Sequence, residues 1–242
     1  AYWKYQAEKE RKLYAIMDAF SQSNGHLTVS DARYINTLKL FLNGVSPLEY
    51  MAHRGFAHAA RSLPGAGPRV ACMMQALDEI RHSTTQIHAM SNYNKYYNGM
   101  HDWNHMHDRV WYLSVPKSFF EDAVSAGPFE FLVAIGFSFE YVLTNLLFVP
   151  FVSGAAYNGD MATMTFGFSA QSDEARHMTL GLELIKFILE QDPDNVPIVQ
   201  KWIDKWNWRG YRMLTLVAMM IDFMLLKRVM RWKEAWEVYY EE

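Results

Sequence analysis

Apolar residues recur along this chain every three or four positions, and runs of strict alternation do not stand out. A three-to-four period lays one apolar stripe along a helix, whereas alternation builds a half-buried strand. The pattern predicts helices over residues 3–21, 29–63, 68–97, 101–113, 117–125, 128–155, 160–190 and 195–236. Turn-forming residues gather at the breaks: "SNGH" (23–26), "PGAGP" (64–68), "SAGP" (125–128) and "QDPDNVP" (191–197). Pro47 falls inside the second helix, where its missing N–H predicts a kink or a restart. No linker or low-complexity stretch divides the chain, so one all-α domain over residues 1–242 is expected.

Charge appears where this pattern asks for none. "FEFLVAIGFSFEYVLTNLLFVPF" (129–151) is long enough to span a bilayer. Glu140 sits at its centre, with Ser138, Thr144 and Asn145 nearby and Pro150 near its end. A central carboxylate is costly in lipid. The shorter segment 214–226 is broken by Asp222. Both read as buried helices, and no membrane partner is expected. "SDEARHMTLGLELIKFIL" (172–189) opens on Asp173, Glu174, Arg176 and His177 before its apolar residues begin. "LDEIRH" repeats the same D-E-x-R-H at Asp78, Glu79, Arg81 and His82.

Residues three apart share a helix face, with Cβ atoms about 5–6 Å apart. Glu79 with His82, and Glu174 with His177, can each grip one ion. Two Glu-x-x-His helices and two further helices with one Glu each are the pattern of dinuclear carboxylate bundles. The extra carboxylates stand one helix earlier in each case: Glu49, 30 residues before Glu79, and Glu140, 34 residues before Glu174. Six ligands, four Glu and two His, suit iron or manganese better than structural zinc. Asp78 and Asp173 are placed to orient the histidine of the opposite motif, with Arg81 and Arg176 balancing their charge.

Plainer readings exist for several of these residues. Ser46, Pro47 and Glu49 also fit a helix start with a capping box. Asp78, Arg81, Asp173 and Arg176 also fit surface ion pairs. Glu140 has the weakest such alternative, because an unpaired carboxylate among twenty apolar residues is expensive. His101, His105 and His107 lack a carboxylate partner and read as a polar helix start.

Composition narrows the function classes. The chain is 50% hydrophobic and 15% aromatic with net charge −3, so no Lys/Arg excess exists to neutralise nucleic-acid phosphates. The single cysteine, Cys72, excludes an intrachain disulfide framework or a four-thiolate site and fits a reducing, cytoplasmic setting. The charged N-terminus is no signal peptide, and without an initiator Met the chain reads as processed or as a fragment. No iron–sulfur spacing, haem or flavin motif is expected on it; "PGAGPR" is a turn without the third glycine of a dinucleotide loop.

The order Glu49, Glu79-x-x-His82, Glu140, Glu174-x-x-His177 resembles the hydroxylase large subunits of the bacterial multicomponent monooxygenases. The wording of both D-E-x-R-H motifs, with "FSFEYVLTNLLFVPF" around Glu140, is most similar to the phenol hydroxylase branch. Ribonucleotide reductase small subunits carry a radical Tyr one turn after the first His, where this chain has Gln86. Acyl desaturases lack the Thr-Asn pair, present here as Thr144-Asn145.

The resemblance implies a ferritin-like four-helix bundle core with additional helices, and a central piece of a subunit about twice as long. It implies two iron ions, and oxidation of phenol or related arenes to catechols by O2. It adds a separate NAD(P)H-dependent iron–sulfur flavin reductase, a small effector protein and further hydroxylase subunits. Thr144 would be the active-site hydroxyl, with Asn145 and Gln171 as polar neighbours. An α-helical four-residue spacing aligns Gly136, Glu140, Thr144 and Phe148 on one stripe beside a cavity. Family position adds Val45, Ala52, Phe119 and Phe139 to its lining. The open alternative is a ferritin-like or ribonucleotide-reductase-like di-metal protein without arene hydroxylation.

Overall fold

The computed structural model describes residues 1–100 and 102–221, the side chains of 103, 104, 106, 142, 143, 145, 146 and 218–221 excepted. Every regular element among them is a helix. They are α1 (Tyr2–Gln22), a 3₁₀ turn (Gly25–Thr28), α2 (Ala32–Ser62), α3 (Ala66–Tyr93), α4 (Trp103–Arg109), α5 (Trp111–Ser125), α6 (Pro128–Phe131), a π-helical stretch (Leu132–Leu143), α7 (Thr144–Tyr157), α8 (Met161–Gln191) and α9 (Asn195–Ile221). No helix among the described residues is long and apolar enough to cross a membrane. The predicted extension of the last helix to 236, Asp222 and His101 lie outside the described residues.

Three local outcomes differ from the pattern reading. Helix α2 runs unbroken through Pro47, and its start is capped by Asp31, whose side chain accepts from the Arg33 and Tyr34 amides. Ser46 therefore caps nothing; its hydroxyl lies 3.2 Å from that of Ser83 on α3. The capping-box reading of Glu49 falls with it. The break predicted near 114–116 sits instead at Val110, which is extended, and α5 continues through Pro116. The helix predicted over 128–155 is continuous, but its middle is π-helical, each N–H reaching back five residues.

Helices α2 and α3 form one antiparallel pair, and the π stretch packs along α8 as the other. Gly181 permits that approach. A Cβ there would lie 1.8 Å from the carbonyl oxygen of Gly136 in the π stretch. Two apolar clusters fill the bundle, one around Phe56, Phe131 and Trp206, the other around Tyr34, Phe151 and Phe166. On α3 the motif at 78–82 lies between Ala76 of the first and Ala89 of the second; on α8 the motif at 173–177 lies between Ala170 and Leu184. The charged residues occupy the seam between the two cores.

Candidate metal centre

Each of the four bundle helices contributes a carboxylate by its register. Residues Glu79 and His82, one turn apart on α3, and Glu174 and His177 on α8 point into the seam, all nearly fully buried. Glu49 from α2 joins Glu79 and His82 in one group whose ligand atoms lie within 4.8 Å of one another. Glu140 from the π stretch joins Glu79 and His177 in a second. Glu79 thus belongs to both groups. Glu174 also reaches both histidines, Oε1 at 3.5 Å from His82 Nδ1 and Oε2 at 3.3 Å from His177 Nδ1. The ring centroids of His82 and His177 are 6.0 Å apart.

Behind each histidine stands the aspartate of the opposite motif. His82 Nε2 lies 3.1 Å from Asp173 Oδ2, and His177 Nε2 lies 3.3 Å from Asp78 Oδ2. An aspartate at Nε2 takes that ring N–H and turns Nδ1 toward the seam. The two Nδ1 atoms are buried without a hydrogen-bond partner, as is Glu174 Oε2. Orphaned buried acceptors carry a desolvation cost, which a cation between them would remove. The donor set fits a pair of hard or borderline divalent ions.

The arginines bind the aspartates. Arg81 donates to Asp78 at 2.6 Å; Arg176 donates to Asp78 at 2.8 Å and also to Asp173. The aspartates are buried and the arginines reach them from partly exposed positions, so a surface pair describes only the arginine ends. Gln75 and Gln86 steady the carboxylates, donating to Glu79 at 3.1 Å and to Glu49 at 3.2 Å. Both were missed in the sequence, although each stands four residues from a motif member, at Glu79 and His82. The N-terminal helix was missed as well: Tyr2, Gln6 and Lys9 all reach the aspartates.

Burial is the largest influence on the titration of five of these groups. It drives Glu79 and Glu140 well above the ordinary carboxylate range, reinforced by their carboxylate neighbours. Burial pulls His82 down, but Asp173, Glu49 and Glu174 outweigh it and raise the imidazole to about 10. His177 is likewise lifted to about 10, by Glu174, Glu79 and Asp78. Burial pushes Glu174 up, yet His177, Glu140 and His82 bring it down to about 2. The cluster thus binds protons more tightly than its members would in water, and divalent ions bound there would displace them.

A cavity lies against the centre. Glu49, Glu140, Glu174 and Thr144 form its polar side; Val45, Ala52, Phe139 and Phe148 are on its wall with Phe41, Leu48, Phe120 and Phe166. Helix α5 adds Leu113 and Pro116, and α9 adds Met213 and Val217, none of which local spacing had pointed to.

Two expected lining residues lie elsewhere. Phe119 packs behind the wall against Trp206, with ring centroids 5.3 Å apart. Gly136 faces Phe56 and Gly181, because the π turn breaks the four-residue stripe. The Thr144 amide and hydroxyl both bond the Phe139 carbonyl, five residues back, and the hydroxyl lies 3.3 Å from Glu140 Oε2. Gln171 is half-buried on α8 and is not on the cavity wall, and the side chain of Asn145 lies outside the described residues.

A family model of methane, phenol and alkene hydroxylases matches residues 1–192. The chain belongs to this hydroxylase family. It is 73% identical over its whole length to the oxygenase component DmpN of phenol 2-monooxygenase from Pseudomonas sp. (strain CF600), of which it covers 47%. The methane monooxygenase component A alpha chain of Methylococcus capsulatus (strain Bath) is 26% identical over 94% of the chain. Xenon-pressurised phenol hydroxylase from Pseudomonas sp. OX1 superposes with TM-score 0.94 at 76% identity, over all of this chain and 49% of that one. Toluene-bound toluene 4-monooxygenase superposes at 0.83 with 18% identity, covering 91% of this chain and 74% of that one, which speaks for the fold alone. The chain spans about half the length of the curated hydroxylase it matches at 73% identity.

Proposed function

We propose that this hydroxylase-family chain is the oxygen-activating part of an arene monooxygenase, holding two iron ions and converting phenol or a related arene to a catechol. One observation carries the reading. Two buried Nδ1 atoms without a hydrogen-bond partner meet four carboxylates, and three of those carboxylates also form the wall of an apolar cavity.

Glu49, Glu79 and His82 would hold one ion, and Glu79, Glu140 and His177 the other, with Glu174 reaching across to both histidines. Bound there, the ions supply redox and Lewis-acid chemistry toward O2. The chain's own residues do the rest. Asp78 and Asp173 fix the histidine tautomers. The apolar wall keeps water out and holds a ring against the polar side. Thr144, bonded back to Phe139 and beside Glu140, presents a hydroxyl on that side.

In this reading the electrons for O2 come from a separate component, and the one cysteine of these 242 residues, Cys72, supplies no iron–sulfur site. A separate NAD(P)H-dependent reductase, a small effector and further hydroxylase subunits complete the reading, in a cytoplasmic setting. The resemblance of the chain to an oxygenase component supports this division of labour.

The test is iron per chain after anaerobic Fe(II) loading of the full-length subunit, with Glu140→Ala and His177→Ala in parallel. About two irons are expected, and sharply fewer in both variants. Phenol turnover with reductase and NAD(P)H then separates an arene monooxygenase from a ferritin-like metal store, which would bind iron and leave phenol untouched. No iron in the folded wild type would sink the proposal.

A further inference from the structure

Helix α1 carries none of the six proposed ligands, yet three of its side chains reach the aspartates behind them. Tyr2, Gln6 and Lys9 stand four and three residues apart, on one stripe of the helix. The Tyr2 hydroxyl donates to Asp78 Oδ1 at 2.5 Å, and the Lys9 ammonium lies 2.5 Å from Asp173 Oδ2; each serves one aspartate. Gln6 serves both. Its amide nitrogen donates to Asp78 Oδ1 at 2.9 Å and to Asp173 Oδ1 at 2.8 Å, from a side chain buried between α3 and α8.

An amide NH2 has two hydrogens, so both bonds can be made at once. The opposite amide orientation would set an oxygen against two carboxylates, so the network fixes which atom faces them. A carboxylate at position 6 would add a third negative charge there, and an apolar side chain would leave two buried acceptors short of a donor. Arg176 and, more loosely, Arg81 also span the two aspartates, but their side chains are 39% and 18% exposed. The amide is the buried tie among them.

We infer that Gln6 is a positioning residue that couples the two Asp–His pairs through a single amide, so that His82 and His177 are oriented together. This rests on the two-ion reading above. Asp78 takes the Gln6 amide on Oδ1 and faces His177 with Oδ2; Asp173 takes it on Oδ1 and faces His82 with Oδ2. Displacing the amide removes the buried neutral donor that the two carboxylates share, leaving them to Tyr2, Lys9, Arg81 and Arg176, and both ring orientations loosen. Losing Lys9 or Tyr2 disturbs one side only.

The experiment uses the full-length hydroxylase with its companion subunits, and measures the two stepwise Fe(II) affinities by chelator competition. The Mössbauer spectrum of the iron-loaded protein is recorded alongside. Gln6→Leu is expected to weaken both binding steps roughly tenfold or more and to shift the signals of both irons. Lys9→Met is expected to weaken one step and leave the other. Wild-type affinities and spectrum in Gln6→Leu overturn the inference, even if its Tm falls, because Gln6 would then only fasten α1 to the bundle. Weakening of a single step also overturns it. Should Gln6→Leu not fold, Gln6→Asn decides by the same readout, its shorter side chain being unable to reach both aspartates. A wild type that binds no iron would sink the two-ion reading first, and is told apart by that result.

Discussion

Asp173 shows how closely charge and geometry are tied at the level of one residue. Burial raises its carboxyl, but the His82 contact outweighs this, with Gln6 and Lys9 adding to it, and the group is held well below the ordinary range. Asp173→Asn removes the charge while keeping the shape. Lys9 then loses its buried partner, and the His82 ring loses the acceptor that fixes it. We expect a loss of about 3 kcal/mol in urea unfolding and a fall in metal affinity on the order of 10- to 100-fold. A metal titration of the variant that matched wild type would show that Asp173 serves stability alone. The Glu-x-x-His candidates were legible in sequence because that pairing needs only one helical turn. Gln75, Gln86 and Gln6 were not, because a glutamine in a helix carries no mark of what it will face.

Among the elements, the π stretch departs most from an α-helical reading. An α spacing would align Gly136 with Glu140 beside the cavity, but the wider turn rotates Gly136 onto α8. The two glycines at this crossing then differ. A Cβ on Gly136 would meet the Phe56 ring at 3.6 Å, an ordinary contact, whereas one on Gly181 would run into backbone. Gly136→Ala should therefore be neutral, or stabilise by up to about 1 kcal/mol through helix entropy. Gly181→Ala should cost more than about 2 kcal/mol and lower iron loading by moving Glu140 away from Glu174. Thermal melts of the pair measure the asymmetry; equal Tm values would mean that the crossing adapts. Pro47 teaches the same lesson in reverse: a residue that ends helices in isolation lies here inside an unbroken α2.

For the whole molecule, the centre sets how stability depends on pH. His82 and His177, raised to about 10 from an ordinary value near 6.5, bind protons more tightly folded than unfolded. Their contribution is complete below about pH 6.5 and is lost as pH rises toward 10. Glu79 and Glu140, also raised, act in the same direction. Glu174, lowered to about 2, acts oppositely, and its contribution is lost as pH falls from its ordinary value near 4.5 toward 2. Without iron the protein should therefore be most stable near pH 4.5 and lose Tm above it, more steeply from about pH 6.5 as the histidines join. With iron bound, the metal takes the place of the protons, so that the loss is removed and affinity rises with pH. Calorimetry across pH with and without iron checks this; identical profiles would show that no ion replaces the protons.

The sequence by itself determined the helical class, most helix limits, the six candidate ligands and the cross-pairing of each aspartate with the other motif's histidine. The helices and the Glu-x-x-His pairs follow from 3.6-residue geometry within a few turns of chain. The lone Glu140 follows from the cost of burying charge, and the cross-pairing from the need of a liganding histidine for an acceptor behind it. Tertiary structure alone decided which carboxylates reach both histidines, that α1 lies against the aspartates, and that α5 and α9 close the cavity. It also decided the π register that turns Gly136 away and sets Thr144 against Phe139. Those outcomes depend on how helices distant in the chain cross and rotate against one another, a choice made by the packing of the whole core.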